Sequence, residues 1–129
     1  MDQNAGTQER RNKLFMLLRE RAFKRGRVVL ASGKESDYYF DMKPAMLDPD
    51  GAELMADMIL EELQGVTADA VGGLEMGAVP LIAPVAMRSP LFGRYLPGFF
   101  VRKAVKDHGT KKRVDGCLLY TSPSPRDRS

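Results

Sequence analysis

Pro97-Gly98-Phe99-Phe100-Val101-Arg102-Lys103-Ala104-Val105-Lys106-Asp107-His108-Gly109 is the stretch on which the reading of the fold turns. Pro97–Val101 is apolar and strand-like, and the polarity changes abruptly at Arg102. Two adjacent cations, a third three residues on and the chain's single histidine then follow within seven residues. From Arg102 to Arg113 six Lys or Arg stand against one Asp, a local charge of +5. The whole chain carries +3, so the remainder carries −2. The positive charge is therefore a local device at a strand end. Such a cluster can hold a polyanion such as a pyrophosphate and move charge or a proton as it leaves. Neighbouring cations favour a neutral imidazole at His108, able to donate or accept a proton. On the residues alone, a plain solvated basic loop stays equally open.

Working outward, Thr7–Arg25 reads as a helix, with Leu14, Leu17, Leu18 and Ala22 at near-helical spacing and Gly26 as its stop. Val28–Ala31 reads as a short strand, 32–36 as a turn and Asp37–Lys43 as an aromatic second strand. Asp48-Pro49 looks like an N-cap with proline at the first helical position. The helix after it, to about Gln64, should turn Leu54, Met55, Met58, Ile59 and Leu63 inward. Ala68–Gly73 reads as a short buried strand, Gly77–Met87 as a helix interrupted by Pro80 and Pro84, and Gly98–Val101 as the next strand. A helix, a β-hairpin and then alternating helix and strand predict an α/β fold, a parallel sheet with flanking helices.

Bulk properties narrow the classes. A chain of 129 residues is at most one domain, and 43% hydrophobic with 29% charged residues is ordinary for a soluble globular protein. No run of about 18 apolar residues argues for a membrane span. Met1–Lys13 is polar and lacks the apolar core of a signal peptide. The one cysteine, Cys117, has no internal partner, which fits a reducing cytosol, so a cytoplasmic location is expected. The basic excess sits in one short segment, which favours a small anionic ligand at least as much as nucleic acid.

Two further segments carry chemistry. In Ser32–Asp41, Tyr39 or Phe40 could stack on a flat ring, or the aromatics could simply fill a core. In Gly72-Gly73-Leu74-Glu75-Met76-Gly77-Ala78 a strand gives way to a helix across three glycines. Such a junction exposes backbone N–H groups suited to phosphate oxygens, although an ordinary tight turn has the same look. It is neither a dinucleotide fingerprint nor a Walker loop.

Taken together, three stretches in this order, with the helical spacing between them, resemble the N-terminal half of orotate phosphoribosyltransferase. They are Ala31-Ser32-Gly33-Lys34-Glu35-Ser36-Asp37-Tyr38-Tyr39-Phe40-Asp41, then Gly72–Pro80, then Phe99–Gly109 with its R-K-x-x-K-D-H-G run. The third is highly specific, the first fairly so and the second weak alone. The resemblance covers roughly 10–116. It implies a type I phosphoribosyltransferase fold, truncated, with an N-terminal helix and β-hairpin hood. It implies the joining of orotate to 5-phosphoribosyl 1-diphosphate, with Mg²⁺, to give orotidine 5′-phosphate and pyrophosphate in pyrimidine biosynthesis. By motif, Tyr39 and Phe40 would flank orotate. Arg102, Lys103, Lys106 and His108 would bind the diphosphate, with Lys106 and His108 as the catalytic pair. Glu75, Met76 and Gly77 would line the pyrophosphate through their backbone. The resemblance implies a homodimer with shared active sites, a mobile loop from Lys103 to about Asp115, and neither a nucleic-acid nor a membrane partner.

The chain departs from the family where Ala31 stands in place of a frequent Lys, and where Met76-Gly77 replaces a Tyr-Lys pair of some members. The acidic Thr/Gly-rich loop that grips the ribose phosphate is not found in 110–129, so an inactive fragment with an unpaired central strand is expected. The Ser-Pro-Ser-Pro ending resembles a translated sequencing adapter. The expected division is therefore a partial domain over 1–116 and a non-native or disordered tail over 117–129. Two rivals stay open. One is a phosphoribosyltransferase for another base; the other is a small basic nucleic-acid-binding module, which would lose affinity steeply with salt.

Overall fold

A computed structural model of the chain describes residues 3–104 and 113–117. The elements run α1 (Gln3–Arg21), β1 (Phe23–Val29), β2 (Glu35–Phe40), α2 (Lys43–Met46), α3 (Pro49–Glu62), β3 (Val71–Leu74), α4 (Val79–Arg88), a 3-10 turn (Ser89–Phe92), β4 (Gly98–Val101) and β5 (Val114–Gly116). They form two compact units, 1–62 and 63–129.

In the first unit, Leu14, Leu17 and Leu18 of α1 are half-buried and Ala22 is fully buried, as their spacing predicts. Gly26 does not stop this helix. The helix ends at Arg21, and Gly26 sits inside β1 with φ 137. The β1–β2 register shifts between Arg25 and Val28, so Gly26 occupies a bulge whose backbone other residues avoid. The strand begins early because Phe23 pairs with Phe40 and Lys24 with Tyr39, a long-range pairing that overrides local helix propensity. Helix α3 starts where Asp48-Pro49 predicts: Asp48 Oδ2 accepts the N–H groups of Asp50 and Gly51, both at 3.0 Å. Its most buried residues are Gly51, Met55, Ala56 and Leu60. Of the expected stripe Met55 is buried, while Leu54, Met58, Ile59 and Leu63 are only half-buried. A Cβ at Gly51 would lie 2.0 Å from the Ala45 oxygen and 3.2 Å from Leu17 Cδ2. The close approach of α2 and α1 selects which side of α3 turns inward.

In the second unit, β3 and β4 pair in parallel, from Val71↔Gly98 to Leu74↔Val101. Strand β4 spans the residues the sequence suggests. Strand β3 begins later than expected, and its burial alternates between half-buried and exposed rather than being uniform. Helix α4 runs Val79–Arg88, with Pro84 inside it. Strand β5, unforeseen in the sequence, pairs antiparallel with β4, so the sheet is mixed. Cys117 N–H extends the pairing by donating to the Gly98 oxygen at 2.8 Å. The rest of the unit is tied by polar contacts. Arg94 donates to the Leu63 oxygen at 2.6 Å and the Ala68 oxygen at 3.3 Å. The buried Ser89 hydroxyl donates to the Ala86 oxygen and accepts the Leu96 N–H. No helix among the described residues is long and apolar enough to cross a membrane.

Candidate functional site

Parallel pairing of β3 and β4 makes the loop after Leu74 and the cations after Val101 leave the sheet side by side. Glu75 N–H donates to the Val101 oxygen at 2.9 Å, so the two strand ends stay in register to their last residue. This is the carboxyl edge, outside which open α/β sheets bind their ligands. Glu75 then reaches across, and its Oε1 accepts the Lys103 N–H at 2.8 Å. The Glu75–Met76 peptide is cis. Met76 and Gly77 are exposed, and a Cβ at Gly77 would meet nothing within 4 Å. The turn thus presents open backbone before α4, whose N-cap Ala78 supplies no side-chain cap.

Arg102 follows directly on β4. Its Nε donates to Asp115 Oδ2 on β5, and its guanidinium carbon lies 5.7 Å from the Phe100 ring centroid. The Arg102 and Asp115 side chains are each 28% exposed. The backbone closes around the same place. Arg102 N–H donates to the Arg113 oxygen at 2.6 Å, and Arg113 Nη2 donates to the Lys103 oxygen at 3.1 Å. Both stems of the cationic segment are fastened: one by Glu75 from β3's end, the other by Asp115 and Arg113 from the returning strand.

The structure thus brings together Glu75, Arg102 and Lys103. Lys106 and His108 lie outside the described residues. Tyr39 and Phe40 belong to the first unit. Successive strand residues face opposite sides, so the two do not share a face. Phe40 joins an exposed aromatic cluster, its ring centroid 5.2 Å from Phe23 and 6.3 Å from Tyr38. At the end of β2, Asp41 Oδ1 accepts the Lys43 N–H and pairs with Lys43 Nζ, both at 3.1 Å. Those bonds hold the Asp41 carboxyl below the ordinary aspartate range, the backbone bond foremost.

Among the described residues, no group of three or more His, Cys, Asp or Glu could hold a metal ion. The nearby carboxylates of Glu75 and Asp115 already have partners in Lys103 and Arg102. A Mg²⁺ bound here would therefore take its ligands from substrate phosphates and water, the ordinary habit of that ion. An open groove of about 330 Å³ lies between α4 and the strands, lined by Val79, Ile82, Ala86, Phe99 and others. It is apolar and lacks ionisable side chains, so it does not suit a diphosphate.

Sequence reasoning missed Asp115 and Arg113. Val114-Asp115-Gly116 is too short to announce a strand. The signal lay in its single acid following a run of cations.

No protein-family profile matches the chain. Over 106 residues it is 50% identical to the orotate phosphoribosyltransferase of Bradyrhizobium diazoefficiens, covering 82% of this chain and 57% of the relative. Over those residues the chain is similar to the N-terminal part of the orotate phosphoribosyltransferases. It spans just over half the length of that relative. Among solved structures, it is similar to Mycobacterium tuberculosis orotate phosphoribosyltransferase in complex with Fe(III) dicitrate, with TM-score 0.71 and 34% identity. That match covers 84% of this chain and 61% of the other. It is also similar to the same organism's enzyme in complex with 5-phospho-α-D-ribosyl 1-diphosphate. There the TM-score is 0.66 and the identity 29%, covering 84% of this chain and 57% of the other. The fold is the type I phosphoribosyltransferase fold, of which this chain carries part.

Proposed function

We propose that the protein to which this chain belongs transfers a 5-phosphoribosyl group from its 1-diphosphate to orotate, releasing pyrophosphate, as a step of pyrimidine biosynthesis. One observation carries the reading. Arg102-Lys103 and the open Glu75–Gly77 turn are held together at the carboxyl ends of two parallel strands. The cations and the exposed backbone of Met76 and Gly77 converge there, as a diphosphate requires. The neighbour solved with 5-phospho-α-D-ribosyl 1-diphosphate supports the same ligand class.

Cleavage of the bond between the sugar's C1 and the diphosphate leaves a cationic ribosyl centre and a heavily charged leaving group. Arg102, Lys103 and Lys106 hold that group and offset its growing negative charge. His108 or Lys106 donates a proton to a leaving oxygen. Each such cation contributes about 2.7–4 kcal/mol to the transition state, by analogy with one oxyanion donor. Mg²⁺ bound to the substrate phosphates supplies further charge neutralisation. Glu75, Met76 and Gly77 line the leaving group through their backbone, and Tyr39 and Phe40 flank orotate. The proposal includes a cytoplasmic homodimer with shared sites, a partial domain over 1–116 and a non-native or disordered tail over 117–129.

The test is orotate-dependent pyrophosphate release by the complete protein, with uracil and adenine as competing bases. Use of either in place of orotate refutes the assignment. In the same assay Lys106→Ala should lower turnover by about two orders of magnitude or more with the melting temperature unchanged. Undiminished turnover would remove Lys106 from the chemistry.

A further inference from the structure

We infer that Asp115 is a positioning residue, one that orients the Arg102 guanidinium for the diphosphate before the ligand arrives. The inference rests on the diphosphate reading of the site and deepens it. Asp115 lies 13 positions after Arg102 in sequence, yet its carboxylate meets Arg102 at Nε, the guanidinium nitrogen nearest the backbone. Among the described residues the two terminal nitrogens of Arg102 make no hydrogen bond. Those terminal N–H groups form the fork that grips a phosphate bidentately. An acid on Nε therefore fixes the plane of the group without consuming the fork.

The surroundings support orientation rather than simple neutralisation. The guanidinium lies near the Phe100 ring, which restrains it from a second direction. The backbone on both sides is clamped, by Arg102 N–H on the Arg113 oxygen and by Glu75 on the Lys103 N–H. A side chain restrained on its stem, its edge and its face has little rotamer freedom left to lose on binding. Asp115 is itself held by its strand, Phe100↔Asp115 being a register pair of β4 and β5.

The alternative role for an acid in a cationic site is competition, in which Asp115 neutralises Arg102 and must be displaced by the ligand. The two roles predict opposite signs. Inorganic pyrophosphate binding is measured calorimetrically on the complete protein and on its Asp115→Ala, Asp115→Asn and Arg102→Ala variants, with thermal unfolding recorded for each. Orientation predicts that Asp115→Ala weakens binding roughly tenfold, the scale of one charge-assisted hydrogen bond. Asp115→Asn, whose amide oxygen still accepts from Nε, should restore most of that loss. The Arg102 Nε–H NMR signal should exchange slowly in the parent and the Asn variant. If Asp115→Ala fails to fold, the Asn affinity and this signal decide alone. Tighter binding by Asp115→Asn, or a fast-exchanging Nε–H in the parent, overturns the inference. Unchanged affinity in a folded Asp115→Ala variant overturns it too. If Arg102→Ala binds as tightly as the parent, or the parent does not bind at all, the diphosphate reading itself fails. If Arg102→Ala loses binding and Asp115→Ala does not, only the orienting role fails.

Discussion

The two compact units differ in how many fully buried apolar side chains each carries among the described residues. In 1–62 the buried side chains are Ala22, Ala45, Met46, Met55, Ala56 and Leu60, gathered where α1, α2 and α3 meet. In the second unit Val85 and Leu96 are the buried apolar residues among those described, and the buried polar Ser89 hydrogen-bonds between them in sequence. Beside the apolar packing of α4 on the sheet it has directed contacts: Arg94 on two carbonyls, Arg102 on Asp115, Glu75 on a backbone N–H. Apolar packing is non-directional and tolerates small shifts, whereas hydrogen bonds to charged groups fix atoms in place. The contacts that surround the cations are of the directed kind, as a site that must match an anion's geometry requires.

That contrast can be broken. Leu60 is fully buried, so Leu60→Ala should destabilise the first unit by about 3 kcal/mol, read as a lowered urea midpoint. Arg94→Ala leaves the Leu63 and Ala68 oxygens without that donor, and should cost about 2 kcal/mol by the same measurement. Arg94→Lys should recover only part of it, because a single ammonium lacks the fork that spans two carbonyls. If Arg94→Ala costs more than Leu60→Ala, polar ties outweigh apolar packing and the contrast in strength is reversed. The smallest effect concerns Asp41, which is half-buried and whose pKa is depressed by Lys43. A depressed carboxylate adds stability that is whole above the ordinary aspartate pKa and is lost as pH falls through the lower folded value. An NMR titration should therefore give an Asp41 midpoint below the ordinary range, and Lys43→Ala, which removes the ammonium, should move it upward. A midpoint insensitive to Lys43→Ala would leave the backbone N–H as the whole cause.

Reading the sequence succeeded where neighbours in the chain are neighbours in space. Asp48-Pro49 marks the start of α3 because a cap and its first turn involve residues two or three apart. Gly98–Val101 is legible as a strand because an apolar run ends sharply in charge. The inward face of α1 follows from its spacing. Gly26 misled because a glycine after a helical pattern signals a stop, while its actual bulge depends on pairing with β2. The burial of Gly51 on α3 depends on Ala45 and Leu17, which the periodicity of α3 alone does not contain.

By itself, then, the order of residues dictated that a strand would deliver Arg102 and Lys103 at its carboxyl end, and that helices and strands would alternate. Local propensity and charge contrast suffice for that. Only the folded sheet decided that Glu75 meets Lys103 and that Asp115 meets Arg102. Those pairs are 28 and 13 positions apart, and their meeting depends on parallel and antiparallel registers. Strand register is a collective outcome of side-chain packing and backbone hydrogen bonding across the whole sheet, so no single segment encodes it.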